Sequence, residues 1–463
     1  MTLIMCWRAA YVLASRSLPN VFAMMSYVIC DLVNLVSISH APGSTIAQID
    51  GIGIGNLMQN VVAVSFALGV LDALETLVPQ AAGRGEMEAT AEILMRGRVL
   101  TLLCLLWMGP LLYFTEDLMT FIGQDPAAAA AAGKYNRAAL WGLAFLFQNE
   151  AARKYLVCLG RADVGFYIGL ATSAAHCAWV YLLVYRLGLG NFGMGLANCI
   201  LWASMAVLTN AYLFICAPQL GVQRAWLLEI TAGFRGWSAY LRVAVPAIVV
   251  HCAEGWFWEC ITFLVSYLGV VQLAAHVCMV TVETTAFMVA QGISSTAATL
   301  VGAALGRGDA ALARLQVRIA CVWTVLVAGA VGIALVVNDA AIVHALTDAP
   351  AVKESLAVLI RVYAVAGVFD ALQNVLAGAL RGCGRSGLSS RAYFACFYGL
   401  MLPGAVAAAV WQPSATAVWV AIGVGLLVSA TVFACLCFTQ DFEQLAVEAM
   451  RSSSNDKSAS LVC

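Results

Sequence analysis

Charge is what this chain has least of. Asp, Glu, Lys and Arg together make 11% of its 463 residues, against roughly 25% in a soluble domain, so water cannot be its main solvent. The few charges nearly cancel, at a formal net of -1. No block of Lys and Arg is long enough to hold a phosphate backbone, which excludes a basic nucleic-acid surface. A phosphate-binding GxxxxGK[ST] loop is also missing. The run Gly51-Ile52-Gly53-Ile54-Gly55 starts an apolar segment instead of following a strand, so no ATP-driven cycle is expected. There is no CxxC pair or Cys/His ligand spacing, and a metal site is not expected. The 16 cysteines fall mostly within apolar segments, as Cys104, Cys177, Cys278 and Cys321 do, where Cys acts as a small hydrophobe. Cys463 is not a prenylation box, which needs its Cys four residues from the end. The first 18 residues carry Arg8 and Arg16 but no A-x-A-like cleavage site, and read as a cytoplasmic lead-in instead of a signal peptide.

What is present is apolar: 62% hydrophobic residues and a mean hydropathy of +0.89. A helix needs about 20 apolar residues to cross the hydrocarbon core. Candidate spans fall at 19–38, 54–77, 99–114, 135–157, 164–184, 194–215, 240–268, 273–305, 319–337, 356–380, 392–410 and 415–438. The third is interrupted by Pro110, and the fourth is loaded with Arg137 and Glu150. Basic residues test this count, because cytoplasmic loops collect them. With the N-terminus inside, Arg84, Arg96 and Arg98 share one inner loop, Arg307, Arg314 and Arg318 another, and Arg381, Arg385 and Arg391 a third. Only Lys134, Arg137, Arg186, Lys353 and Arg361 fall outside. A wrong count would scramble that alternation. The expected fold is therefore all-α and integral to the membrane, with twelve spans and both termini cytoplasmic.

The second half repeats the first. Thr76-Leu77-Val78 followed by Gly83-Arg84-Gly85-Glu86 returns as Thr299-Leu300-Val301 followed by Gly306-Arg307-Gly308-Asp309, an offset of 223. Leu156 before Gly160-Arg161 returns as Leu380 before Gly384-Arg385, an offset of 224. Pro19 and Pro246 stand 227 apart. Six crossings per half leave both halves the same way up, and parallel repeats flanking a binding site are a transporter plan. The organisation expected is a cytoplasmic segment 1–18, a six-helix lobe 19–216, an inter-lobe linker 217–239, a second six-helix lobe 240–438 and a disordered polar tail 439–463.

Over residues 17–438 the chain resembles the multidrug and toxic compound extrusion (MATE) family, and more closely its eukaryotic branch. The resemblance is carried by LRVAVPAIVVHCAEGWFWE from Leu241, ISSTAATLVGAALGRGD from Ile293 and FDALQNVLAGALRGCGR from Phe369. ALETLVPQAAGRGE from Ala73 and RKYLVCLGR from Arg153 are the first-half equivalents. It implies two six-helix bundles open alternately to either side. It also implies export of organic cations and other amphipathic compounds in exchange for H⁺ or Na⁺, with no cofactor.

Carboxylates inside the bilayer stand out without any family. An ionised one near the centre costs about 2.5–3.5 kcal/mol on insertion scales. Glu254 lies roughly 18 Å beyond Arg242 at 1.5 Å per residue, near the midplane, and Glu283 and Asp370 are at comparable depth. The resemblance implies that carboxylates matching Glu254, Glu259, Glu283 and Asp370 bind cations and couple protons. A carboxylate in a poorly solvated cavity takes up a proton near neutral pH. It then holds a proton or an organic cation but not comfortably both, and that competition is antiport. The plainer reading is a carboxylate satisfied by hydroxyls or tilted to an interface. Glu259 is about 140° around the helix from Glu254, so the two cannot both face one narrow cavity.

Secondary candidates surround these acids. Gln373 and Asn374 follow Asp370 by one turn and Tyr363 precedes it by two, a stripe that either orients the carboxylate or packs as a polar helix contact. His251 shares a face with Glu254, where relatives carry an apolar residue. It is a candidate to share that proton, set against a histidine simply hydrogen-bonded in the bundle. Prokaryotic relatives carry Asp in the first helix where this chain has Asn34, and Asp31, one turn earlier, is a candidate substitute. Glu75 and Gln80 suit a structural or gating role, and Glu150 a salt pair with Arg153 and Lys154. Trp256 and Trp258 could shelter a lipophilic cation or simply pack.

The expected activity is thus proton-coupled export of organic cations or amphipathic xenobiotics by a monomer in a plasma or acidic-organelle (vacuolar) membrane. Na⁺ coupling is the near alternative. A lipid-linked-sugar flippase would need a basic cavity for pyrophosphate. A multi-spanning membrane enzyme would need interfacial His, Asp or Ser clusters that the sequence does not carry.

Overall fold

Among the residues that the computed structural model describes, 3–41 and 44–460, with side chains as far as 451, every regular element is helical. Lipid requires this, because a helix satisfies its backbone hydrogen bonds within the segment. In chain order the helices are α1 (Leu3–Ser39), α2 (Ile46–Gly83), α3 (Met87–Tyr113), α4 (Thr115–Ile122), α5 (Pro126–Cys158), α6 (Ala162–Arg186) and α7 (Gly190–Cys216). There follow α8 (Trp237–Ser266), α9 (Val270–Gly306), α10 (Ala310–Val337), α11 (Asp339–Leu346) and α12 (Pro350–Gly382). The chain closes with α13 (Ser386–Trp411), α14 (Ala415–Phe438) and α15 (Phe442–Ser460).

Local chemistry starts several of these helices. Thr45 opens α2 in a reciprocal capping box with Gln48. Asp125 accepts the amide hydrogens of Ala127 and Ala128 ahead of α5, with Pro126 in the first turn. Asp309 and Ser414 cap α10 and α14 in the same way.

Among the described residues, ten helices are long and apolar enough to cross a membrane, and the pair α3–α4, bent by 57°, brings the number to eleven. This is a multi-pass integral membrane protein. Its α5 is not among the eleven, although 33 residues reach about 50 Å. Asn136, Arg137, Gln148, Glu150, Arg153 and Lys154 make it too polar to qualify by composition. The two uncertain spans of the sequence are thus the bent one and the charged one.

The repeated turns share a backbone as well as a sequence. Gly85 and Gly308 have φ of 81° and 76°, and Gly160 and Gly384 have 83° and 73°. At each, the chain reverses a helix through the left-handed region that favours glycine. The amide following each glycine donates to a carbonyl five residues back, as Glu86 to Ala81 and Asp309 to Ala304 do, which is the Schellman closure.

Two compact units divide the chain: a first unit, Phe22–His251, and a second, Met1–Val21 with Cys252–Cys463. The divisions fall inside α1 and α8. Of residues 217–239, expected as a linker, 218–234 hold short 3-10 turns packed into the first unit and 237–239 already begin α8; Ala217, Val222 and Leu227 lie in the core beside Leu94, Tyr155 and Tyr240. Within 439–463, expected as a disordered tail, Phe442–Ser460 is helical, and Phe442, Leu445, Ala446 and Ala449 repeat at helical spacing on a buried face.

Close packing, which drives helix association in lipid, is visible at the glycines. A Cβ on Gly378 would lie 2.4 Å from Ser294 Oγ, and one on Gly382 2.4 Å from the Ala298 carbonyl. Their four-residue spacing makes the flat face along which α12 meets α9.

Candidate functional site

That α9–α12 contact sets the site of the second unit. With Ser294 beside Gly378 and Ala298 beside Gly382, the two helices run parallel in register. Asp370, eight residues before Gly378, is then level with Ala286, and Glu283 lies about one turn away. Both carboxyls are buried, at 5% and 4% exposure. The charges of Asp370 and Glu254 act on Glu283, so the three acids form one electrostatic group. Glu254 is half-buried, and the Thr284 hydroxyl donates to Glu283 Oε2 at 3.2 Å. Glu259 is exposed, as its offset around the helix requires.

The polar stripe of α12 is buried with them. Tyr363 lies within range of the charges of Asp370 and Glu283, and Tyr393, which sequence reasoning missed, within range of Glu254 and Asp370. Gln373 is fully buried within hydrogen-bonding reach of the Tyr393 hydroxyl, and Asn374 Oδ1 has no hydrogen-bond partner. An unbonded buried amide costs about 1–3 kcal/mol, a cost that a bound polar ligand would remove. A small apolar cleft opens beside Asp370, walled by α9, α10 and α12 and including Tyr363, Phe287 and Thr324.

Aromatic rings continue the site. Trp419 is buried, 6.0 Å from Tyr363 and 5.4 Å from Trp258 between ring centroids. Its indole N–H donates to His276 Nδ1 at 3.1 Å, and His276 Nε2 meets the Thr262 hydroxyl at 3.0 Å. Trp256 is exposed. Trp419 and His276 gave no sequence signal, because an apolar helix with one aromatic or one histidine is ordinary.

The first unit treats its acids differently. Glu150 pairs with Arg153 at 2.7 Å, as its i+3 spacing predicts. Lys154, expected to share that pair, reaches across to α2 instead, 2.7 Å from Asp72 and 2.8 Å from Glu75. His251 Nε2 lies 2.9 Å from Asp72 Oδ2, so the partner of this ring nitrogen is Asp72 where Glu254 was the sequence candidate. Sharing a helical face with Glu254 did not fix where the ring points, because α2 supplies an acid within reach.

Asn34 is buried in a separate chain of amides. It donates to Asn198 at 2.9 Å and faces His176 Nε2 at 2.7 Å, while Asn198 donates to the Tyr135 hydroxyl at 2.7 Å and Tyr135 to Asn56 at 2.6 Å. Asp31 is exposed and acts on this chain only through its charge, felt at Tyr135.

The model of the MatE family matches residues 19–182 and 246–407, one stretch in each half. The chain belongs to the MatE family. Among curated relatives, Multidrug and toxin extrusion protein 2 of Mus musculus is 27% identical over 402 residues, 86% of this chain and 68% of that protein. Multidrug and toxin extrusion protein 1 of Homo sapiens is 28% identical over 356 residues, 77% of this chain and 62% of that protein. The chain thus spans about two thirds of the length of these MatE relatives, which are transporters and not enzymes. Among solved structures, the eukaryotic MATE transporter AtDTX14 superposes with a TM-score of 0.89 at 20% identity, over 96% of this chain and 99% of that one. A Vibrio cholerae MATE transporter, VcmN, gives 0.85 at 15% identity, over 95% and 99%. The fold is therefore that of MATE transporters.

Proposed function

We propose that this MatE-family chain is an antiporter that exports organic cations and amphipathic xenobiotics in exchange for protons. One observation carries the reading: the charges of Asp370 and Glu254 both act on the buried Glu283 carboxyl. Carboxyls that act on one another in low dielectric do not all ionise comfortably. Charge must be relieved either by protons or by a substrate cation, and the two compete for the same oxygens. Aromatic rings at Tyr363, Trp258 and Trp419 suit the apolar body of such a cation. The Asn374 amide oxygen, buried without a hydrogen-bond partner, suits its polar groups. Glu259, being exposed, takes a lesser part. The names of the curated relatives support export of drugs and toxins.

The rest of the reading follows the sequence. With α5 and the bent α3–α4 pair counted as crossings, the spans number twelve, in two six-helix lobes that alternate access. The charge bias of the loops supports cytoplasmic termini. The chain works as a monomer in the plasma membrane or an acidic-organelle membrane. No cofactor enters; the coupling ion is cargo. Na⁺ in place of H⁺ would use the same acids. A sugar-pyrophosphate flippase is disfavoured by acids at the midplane.

The test is uptake of a fluorescent organic cation into proteoliposomes under an imposed pH gradient, then under a Na⁺ gradient, with Glu254→Gln alongside. Uptake is expected to follow the pH gradient and to fall at least tenfold in the variant. Flux driven only by Na⁺ would replace the proton, and full activity of Glu254→Gln would sink the role given to the acids.

A further inference from the structure

We propose that His276 is a positioning residue for the cleft beside Asp370. It fixes the Trp419 indole, and through it the rings of Tyr363 and Trp258, against which the flat body of an aromatic cation rests. This role rests on the antiport reading and adds to it the class of cation that the site prefers.

Hydrogen bonds fix the imidazole. An indole N–H can only donate, so His276 Nδ1, 3.1 Å from Trp419 Nε1, accepts and carries no proton. The Thr262 hydroxyl donates to the Trp258 carbonyl at 3.0 Å, which leaves its oxygen to accept from His276 Nε2, also at 3.0 Å. Only the neutral ring with its proton on Nε2 satisfies both contacts. Trp258, Thr262, His276 and Trp419 thus form a chain, and the two indoles close it at 5.4 Å between ring centroids. The loop joins α8, α9 and α14. One turn before it, the Gln272 side chain accepts the amide hydrogen of Ala415 at 2.8 Å. Both bonds from α9 to α14 span 143 residues, so they hold the two helices parallel and in register.

What Trp419 holds is the site. At 1% exposure it stands behind the wall of the cleft. Its ring meets Tyr363 nearly edge-on, at 85° and 6.0 Å, a favoured aromatic arrangement. Tyr363 lies against Gly367, where a Cβ would sit 3.1 Å from Tyr363 Cζ. Tyr363, Gly367 and Asp370 line the cleft together. On the other side, Trp258 follows Glu254 by one turn of α8, on the same face. A turned indole therefore shifts one ring that accompanies Asp370 and one that accompanies Glu254. The carboxyls attract any cation, whereas ring area distinguishes a flat aromatic cation from a compact aliphatic one of equal charge.

The experiment is gradient-driven uptake by the full chain in proteoliposomes of N-methylquinolinium, which is flat and aromatic, and of tetraethylammonium, which is neither. In His276→Phe, which keeps a ring and removes both hydrogen bonds, KM for N-methylquinolinium should rise about fivefold relative to KM for tetraethylammonium, the scale of one cation–ring contact. Trp419→Phe removes the same bond from its other end and should give the same shift, and the double variant no more than either alone. His276→Gln, which offers the indole an oxygen and Thr262 an N–H, should return the ratio to within about twofold of wild type. An unchanged ratio in His276→Phe overturns the proposal. So does an equal rise in KM for both cations, the mark of a merely structural histidine, or a His276→Gln ratio as shifted as that of His276→Phe. If His276→Phe does not fold, Trp419→Phe decides on the first two criteria. A wild type that moves neither cation fails the antiport reading itself and this role with it, whereas an active wild type with an unchanged ratio in the variants overturns this role alone.

Discussion

The two units surround their buried acids with different neighbours. In the first, Glu150 meets Arg153, and Asp72 and Glu75 meet Lys154. In the second, the charges of Asp370 and Glu254 act on Glu283, and Arg381 acts with Glu254 on Tyr393. A carboxylate with a cation at 2.7 Å is a fixed part of the framework. A carboxylate set beside other carboxylates is in an unsettled state that a proton or a cationic ligand can settle. The scaffold repeats, down to the left-handed glycines that end matching helices, while the charge pattern does not. Under the proposed function, burial by itself does not mark a functional acid in such a chain; the sign of its neighbours does.

The largest expected effect breaks the first unit. Lys154→Met leaves Asp72 and Glu75 buried without their shared cation, and breaking a buried pair costs about 3–5 kcal/mol. The expected result is a steep loss of folded, monodisperse protein on size-exclusion chromatography. Wild-type yield and unfolding midpoint would show that the cluster is not a framework element.

The next effect falls on activity instead of folding. Asp370→Asn removes one of the mutually repelling charges and keeps the shape, so the unfolding midpoint should hold or rise. Cation uptake should nevertheless fall at least tenfold, about 1.4 kcal/mol in the transport barrier. Uptake and unfolding measured on one preparation separate the two outcomes. Loss of both together would make Asp370 a framework acid like Glu75.

Much of this was legible in the sequence. The apolar runs and the two glycine turns follow from local rules, and so does the burial of Glu283 and Asp370 on neighbouring helices. The missing parts lie between elements. Lys154 was placed with Glu150 because i+4 spacing is visible along a helix, whereas Asp72, 82 residues away in sequence, is visible only in the fold. His251 was set against Glu254 for the same reason. Tyr393, His276 and Trp419 had no periodic or charge signature at all. The tail looked disordered because Ser-rich polarity at its end hid the helical spacing of Phe442, Leu445, Ala446 and Ala449.

The smallest effect sharpens the comparison within one helix. Glu254 and Glu259 are both acids of α8, five residues apart, and composition alone would give them equal standing. Only Glu254 shares the electrostatic group of Glu283; Glu259 is exposed, where substitutions usually stay within about 0.5 kcal/mol. Glu259→Gln should therefore change gradient-driven uptake by less than about twofold, which corresponds to about 0.4 kcal/mol, while Glu254→Gln removes most of it. Uptake rates across a range of substrate concentrations would also show whether any residual effect is on affinity or on rate. A loss in Glu259→Gln as deep as that in Glu254→Gln would mean that acids are recruited by their place on α8 and not by the neighbours they act on.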